Sequence, residues 1–241
     1  MSWMIPKPEF IETSPRRGYA MVLMLIGSIV ISFGGLIVRN IETADNWQIN
    51  FYRSIAFGTA ILIVLLFRYG KTGLQQFKGI GLQGVWAAML LACASISFLQ
   101  AITNTTVAAT TFTLSSIPFL TAIMAWLFLG ERIGESTVFT MLVAAIGISL
   151  MFVQGLGSGT LFGNFMAFLC AIGFSSYAII IRRNRRTEML PTLILSNLII
   201  VFVALIFRWD NLLISWSDLL LCFVLGGVLS ATVNTLFIIA S

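Results

Sequence analysis

Residues 115–133 read SSIPFLTAIMAWLFLGERI, and the eight residues ahead of them, 107–114, read VAATTFTL. From 107 to 129 no side chain carries a formal charge, and the run ends at Gly130-Glu131-Arg132-Ile133-Gly134. A helix rises about 1.5 Å per residue, so about 20 apolar residues cross the ~30 Å hydrocarbon layer of a bilayer. This stretch is long enough, and its glycine-flanked polar end is turn chemistry. Pro118, near its middle, lacks an amide hydrogen and crowds the carbonyl of Leu114, so a kink is expected there. That kink fits a gating hinge and a static bend absorbed by packing equally well. Glu131 and Arg132 read as part of the turn and as a local ion pair.

The same test, applied outward in both directions, finds eight spans, at about 18–38, 48–67, 82–101, 107–129, 136–154, 161–181, 190–207 and 219–241. Composition agrees. Apolar residues make up 59% of the 241 residues and charged ones 10%, against roughly 45–50% and 25% in soluble domains. The mean hydropathy is +1.00. A chain with so little polar material cannot cover a soluble globule, which excludes a cytosolic enzyme, a secreted disulfide scaffold and a disordered regulator. An all-α membrane protein remains, a polytopic helical bundle. Cys93, Cys170 and Cys222 all lie in apolar stretches and read as small core residues, and histidine is absent. No metal site, cofactor or catalytic group is expected.

Basic residues set the orientation. Lys7, Arg16, Arg17, Arg68, Lys71, Lys78, Arg132, Arg182, Arg183, Arg185 and Arg186 fall on one side, and only Arg39 and Arg208 on the other. The positive-inside rule places the N-terminus in the cytoplasm, and the expected location is the plasma membrane, in a bacterium the inner one. The formal charge of +5 therefore points to anionic lipid headgroups as neighbours and not to nucleic acid. Residues 1–17 read as a cytoplasmic tail.

The chain also resembles itself. Ile37-Val38-Arg39-Asn40 closes the first span and Ile181-Arg182-Arg183-Asn184 the sixth, at an offset of 144, which also brings Ser32 onto Ser176 and Arg53 onto Asn197. Phe98-Leu99-Gln100-Ala101 and Phe237-Ile238-Ile239-Ala240 end the third and eighth spans. Spans one to three thus recur as six to eight. Five spans per repeat is odd, so the copies have inverted topology, a frequent plan among secondary transporters. The expected division is 18–154 for the first repeat and 160–241 for an incomplete second one. Chance likeness between apolar helices is the competing reading.

The stretch from Ser115 to Ile133, with its proline, the small and aromatic residues after it and the closing Gly-Glu-Arg, resembles the fourth-span signature of EamA-type carriers of the drug/metabolite transporter superfamily. Arg53 early in the second span and Gly34-Gly35 ahead of Arg39 fit the same pattern. The resemblance implies ten helices in two inverted halves, a central cavity walled by the third and fourth helices of each half, and passage of small metabolites. Equivalents of the ninth and tenth helices are missing, so a truncated carrier or an eight-span variant is expected.

Candidate site residues follow from polar side chains within spans. Cys93, Ser97, Gln100 and Asn104 share one face of the third span, and Thr106, Thr110 and Thr113, with Ser116 nearby, one face of the fourth. The short link makes those helices neighbours, and the two faces can line a wet cavity. Gly226, Ser230 and Asn234 are spaced coherently in the eighth span, with Asn234 the expected contact from the second half. Packing with back-bonding to the helix carbonyls is the competing reading for the hydroxyls. The candidate substrate-binding set is Ser97, Gln100, Asn104, Thr110, Thr113, Ser116, Asn234 and Arg53. Arg53 is the only charge placed within a span. Trp47 and Tyr52 beside it suit an interface, so snorkelling and substrate binding both stay open. Embedded carboxylates and a Gly-x-x-x-x-Gly-Lys-[Ser/Thr] loop are absent from the sequence, which argues against a membrane enzyme and a nucleotide-driven pump. A secondary transporter of a small metabolite or drug-like compound, working by alternating access, is expected. The alternatives are a flippase for lipid-linked substrates and a non-transporting accessory subunit, and the pattern leaves a homodimer open.

Overall fold

The computed structural model describes residues 22, 25–30, 32–131, 133–155, 160–184 and 190–233, and among these there is no strand. Helix α1 is Gly34–Arg39, with residues 25–30 also helical. It is followed by α2 Asn46–Tyr69, a 3₁₀ stretch Gly70–Gly79, and α3 Gly81–Asn104. Next come α4 Val107–Leu114, α5 Ile117–Leu129, α6 Glu135–Gly155, α7 Leu161–Arg183 and α8 Leu190–Arg208. Helix α9, Trp216–Phe223, runs into a π-helical turn at Val224–Ser230. Six segments among the described residues are long and apolar enough to cross a membrane: Asn46–Tyr69, Gly81–Asn104, Val107–Leu129, Leu161–Arg183, Leu190–Arg208 and Trp216–Val233.

Local chemistry sets the boundaries. Asp45 starts α2 with a capping box: its carboxylate accepts from the Trp47 amide, and its own amide donates to Gln48 Oε1 at 2.8 Å. Thr106 caps α4 by accepting from the Ala109 amide at 3.0 Å. Gly130 ends α5 at φ 69°, a left-handed conformation that glycine adopts without Cβ strain.

The fourth span is interrupted at Ser115-Ser116, between α4 and α5, within the Leu114–Pro118 stretch where the proline is expected to disturb the helix. Pro118 sits in the first turn of α5, where an amide hydrogen would lack a partner anyway. Ser115 Oγ donates to the Phe112 carbonyl at 2.6 Å and Ser116 Oγ to the Thr113 carbonyl at 2.7 Å, serving backbone groups near the break. Glu131 pairs with Arg182 at the end of α7, at 2.9 Å. Arg132 lies outside the described residues.

Large apolar side chains face outward, among them Phe67, Leu82, Phe128, Phe202 and Leu213. The buried positions mix Val, Ile and Leu with many small residues, which concentrate on α3 and α7. Ala87, Ala88, Ala94 and Ala101 of α3 and Ala167, Cys170 and Ala171 of α7 are all buried, and α3 with α7 forms the most extensive helix contact among the described residues. Lipid tails offer no hydrophobic gradient toward the core, so small residues that let backbones approach hold such a bundle together. Gly173 illustrates this: a Cβ there would stand 2.8 Å from the Cβ of Ala94 and 3.1 Å from the Leu90 carbonyl oxygen. Cys170 and Cys222 are buried, as expected, whereas Cys93 is exposed.

Around the α3–α7 seam, α2 packs on α8, α3 also meets α8, and α9 with its π turn lies on α2 and α1. Helices α4, α5 and α6 flank α7. One end of the bundle carries the 40–45, 105–106 and 209–215 connections. The other carries the 3₁₀ stretch and the Gly130 turn.

Candidate functional site

A hollow of about 350 Å³ opens among α1, α2, α3, α7, α8 and the π turn. Phe57, Phe98, Phe174 and Tyr177 supply aromatic walls, and Leu91, Leu114, Leu193, Ile200, Leu225 and Leu229 aliphatic ones. Its polar lining is Arg53, Ser95, Ser196, Asn197 and Ser230. Arg53 is the only charged residue among the described lining residues.

Arg53 stands on α2, about 10 Å along the axis from the helix start. Its side chain turns into the bundle, so it does not snorkel. Nη2 donates to Asn50 Oδ1 at 3.3 Å, one turn back, and to Ser95 Oγ of α3 at 2.8 Å. A guanidinium has five N–H donors. Two are engaged this way, and the remainder have no partner among the described residues. Neither ion pair of the described residues, Glu131–Arg182 or Asp45–Arg208, involves it. Beside it on α2, Asn50 Nδ2 and Ser54 Oγ are buried without a hydrogen-bond partner among the described residues. Each such group costs about 1–3 kcal/mol, and unsatisfied polar atoms of this kind call for an explanation.

Asn197 and Ser196 bring α8 to the hollow; Asn197 Nδ2 donates to the Leu193 carbonyl at 2.8 Å, and Ser196 Oγ to the same carbonyl at 2.8 Å. Ser230, in the π turn, donates from Oγ to the Leu225 carbonyl five residues back at 2.8 Å. A Cβ on Gly226 would overlap the carbonyl of Arg53, so only glycine lets this turn lie so close to α2.

The end of the bundle beside this hollow is tied by polar contacts between distant parts of the chain. Asp45 pairs with Arg208, whose Nε donates to Asp45 Oδ2 at 2.6 Å. Asp218 Oδ2 accepts from the amides of Thr43 and Ala44, each at 3.0 Å, and from the Thr43 hydroxyl. Gln48 Nε2 donates to the Asn211 carbonyl at 3.0 Å and the Tyr52 hydroxyl to the Leu212 carbonyl at 2.8 Å. Trp47 stacks on Phe207 with centroids 4.4 Å apart.

The sequence-derived candidates are distributed differently. Arg53 lines the hollow. Ser97 is buried away from it. Gln100 Oε1 accepts from Asn46 Nδ2 at 2.9 Å, and the exposed Asn104 donates to the Gln100 carbonyl at 2.7 Å, both near the tied end. Thr110 and Thr113 are buried and bond the carbonyls of Thr106 and Ala109 one turn back, at 3.1 and 2.9 Å. Ser116 borders a separate recess among α5, α6 and α7 that includes Phe119, Met141 and Phe165. Asn234 lies outside the described residues. Sequence periodicity on α3 singled out the face of Cys93, Ser97 and Gln100. The hollow is lined instead by Leu91, Ser95 and Phe98, a face whose single serine gave no polar stripe to detect. Asn197 could have been found through its repeat relation to Arg53. Nothing local marks Ser196 or Tyr177.

Apolar helices of membrane-spanning length around a partly polar hollow define a multi-pass membrane protein of transporter-like build. Residues 18–153 match the EamA-like transporter family, and the chain belongs to that family. Mouse (Mus musculus) solute carrier family 35 member G1 is 27% identical over 149 residues, 60% of this chain and 39% of the relative. The chain thus spans about two fifths of the length of that curated relative. A chain of known crystal structure aligns with a TM-score of 0.61 over 90% of this chain and 79% of its own length, at 17% identity, a likeness of fold.

Proposed function

We propose that the protein is a secondary carrier that moves a small metabolite or drug-like compound across the plasma membrane by alternating access, with its N-terminus in the cytoplasm. The observation that carries this reading is the hollow itself. It is polar at Arg53, Ser95, Ser196, Asn197 and Ser230 and otherwise lined mostly by apolar and aromatic side chains, and helices from before and after residue 155 contribute to it. Family membership and the name of the mouse solute carrier support it.

Residues 18–154 act as the first repeat and 160–241 as part of the second, related by inversion. The contact pattern supports this: exchanging α1, α2 and α3 for α7, α8 and α9 turns the α3–α7 contact into the α9–α1 contact and the α2–α9 contact into the α8–α3 contact, and leaves α2–α8 unchanged. The Asp45–Arg208 and Asp218–Thr43 contacts then join the repeats at the outer face and act as the outer gate. Pro118 and the Ser115-Ser116 break give α4 and α5 a place to hinge.

The test uses a variant with its native cysteines replaced by serine, reconstituted in liposomes. Asp45→Cys with Arg208→Cys, joined by a short bis-maleimide, is expected to abolish uptake of a carried solute, and each single variant treated alike to keep it. A carrier whose flux survives the cross-link does not open there.

A further inference from the structure

We propose that the hollow binds a small monocarboxylate, the carboxylate on Arg53 and Ser95 and an uncharged apolar or aromatic body against Phe57, Phe98 and Phe174. This deepens the carrier reading and rests on it.

Charge decides the head group. Among the described lining residues there is one cation and no carboxylate, and the described ion pairs leave Arg53 out. A lone charge in a membrane interior is costly and marks a site that a counter-charge would complete. Planar guanidinium donors match a carboxylate in two-pronged fashion. Ser95 extends the cradle. Its oxygen accepts from Arg53, which leaves its own O–H to donate to a bound anion. Asn50 holds the guanidinium from behind through Oδ1.

Three alternatives fit less well. A phosphate monoester carries about −1.5 to −2 charges near neutrality, more than one guanidinium neutralises. A zwitterionic amino acid would bring an ammonium group to a lining that offers it no anion. A neutral solute would leave the Arg53 charge uncompensated. A volume of about 350 Å³ lies near the lower limit of small-molecule pockets, roughly 300–1,000 Å³, and suits one ring with a short chain. The aromatic walls supply the rest of the recognition, and pairing with Arg53 offsets part of the cost of holding the carboxylate away from water.

Three probes with one carbon skeleton separate these cases: 3-phenylpropionate, its amide and phenylalanine. With the 241-residue chain in lipid nanodiscs, thermal stabilisation is read for each, and in proteoliposomes the uptake of each labelled compound. The expected result is that 3-phenylpropionate stabilises the protein and is taken up, while the amide and phenylalanine need at least tenfold higher concentration for the same shift. Arg53→Gln should remove the preference for the acid, and Arg53→Lys should keep it with weaker binding. The wild-type comparison of acid with amide stands even if a variant does not fold. Equal binding of acid and amide, or preference for phenylalanine, overturns the monocarboxylate assignment and leaves the carrier reading intact. If none of the three binds, the assignment also fails. If a wider panel of solutes gives no flux either, the carrier reading falls with it.

Discussion

Arg53 shows what one residue discloses and what it hides. An arginine inside an apolar run is visible in the sequence as an anomaly costing about 2.5 kcal/mol or more at mid-membrane. Whether it points to the interface or inward depends on Ser95, a residue 42 positions away that supplies its acceptor. Adjacent glycines give a sharper test of residue-scale packing. A Cβ on Gly226 meets the Arg53 carbonyl, whereas on Gly227 it meets the Ala56 Cβ at 3.7 Å, an ordinary contact. Gly226→Ala is therefore expected to cost about 1–3 kcal/mol through overpacking. Gly227→Ala should be neutral or slightly stabilising, since alanine favours the helix by up to about 1 kcal/mol. Thermal unfolding of both variants in the same detergent checks the contrast, and equal losses would show that the π turn does not approach α2 this closely.

Among the elements, the fourth span best separates what periodicity conveys from what it does not. Its length and closing glycine were legible. Its interruption falls at Ser115-Ser116, between the Leu114 carbonyl that the proline crowds and Pro118 itself, in the stretch where a kink is expected. Pro118 lies in the first turn of α5, and the serine hydroxyls ahead of it bond the Phe112 and Thr113 carbonyls. From this position Pro118→Ala is expected to change stability by less than about 1 kcal/mol, since the restored amide falls in a first turn with no obligatory partner. Uptake should remain near wild type if Ser115 and Ser116 carry the flexure. A drop in uptake with unchanged substrate-induced stabilisation would place the hinge at Pro118 itself. The α3–α7 seam makes a second element-scale point. Gly173→Val should weaken folding by about 2 kcal/mol or more, because Ala94 and the Leu90 carbonyl leave no room for the side chain. Recovery of folded protein after mild heating reads this directly.

The whole molecule is organised by contacts between residues far apart in the chain. Asp45 with Arg208 is partly exposed, so the pair adds about 1 kcal/mol or less to stability; its value lies in joining the two ends. Asp218 is different, buried and accepting from three donors of the 43–44 turn. Asp218→Ala should cost about 2 kcal/mol or more, the scale of hydrogen bonds to a charged group, and should loosen this end of the bundle. Orientation belongs to this scale too. In a cysteine-free background within intact cells, Asp210→Cys is expected to react with an impermeant maleimide and Lys78→Cys to stay unlabelled. The opposite pattern would invert the topology and move the proposed gate to the cytoplasmic side.

The bilayer explains which features could be read in advance. Transfer of a segment into lipid is a sum over its own residues, so helical class, a multi-pass chain and most spans follow from composition and run length alone, whereas the EamA-type resemblance rests on the particular residues from Ser115 to Ile133 with Arg53 and Gly34-Gly35. Which face of a helix turns inward is a relation between helices. Lipid and protein interior are both apolar, so hydrophobicity cannot tell them apart, and small residues or a lone serine carry the distinction. That is why the polar stripe of Ser97, Gln100 and Asn104 was conspicuous while Ser95, Ser196 and the Asp218–Thr43 contact were not. Only the assembled bundle decided that Arg53, Ser95 and Asn197 share one hollow, because their proximity comes from the α2–α8 and α3–α8 packing and from a glycine-permitted π turn, none of which any single segment encodes.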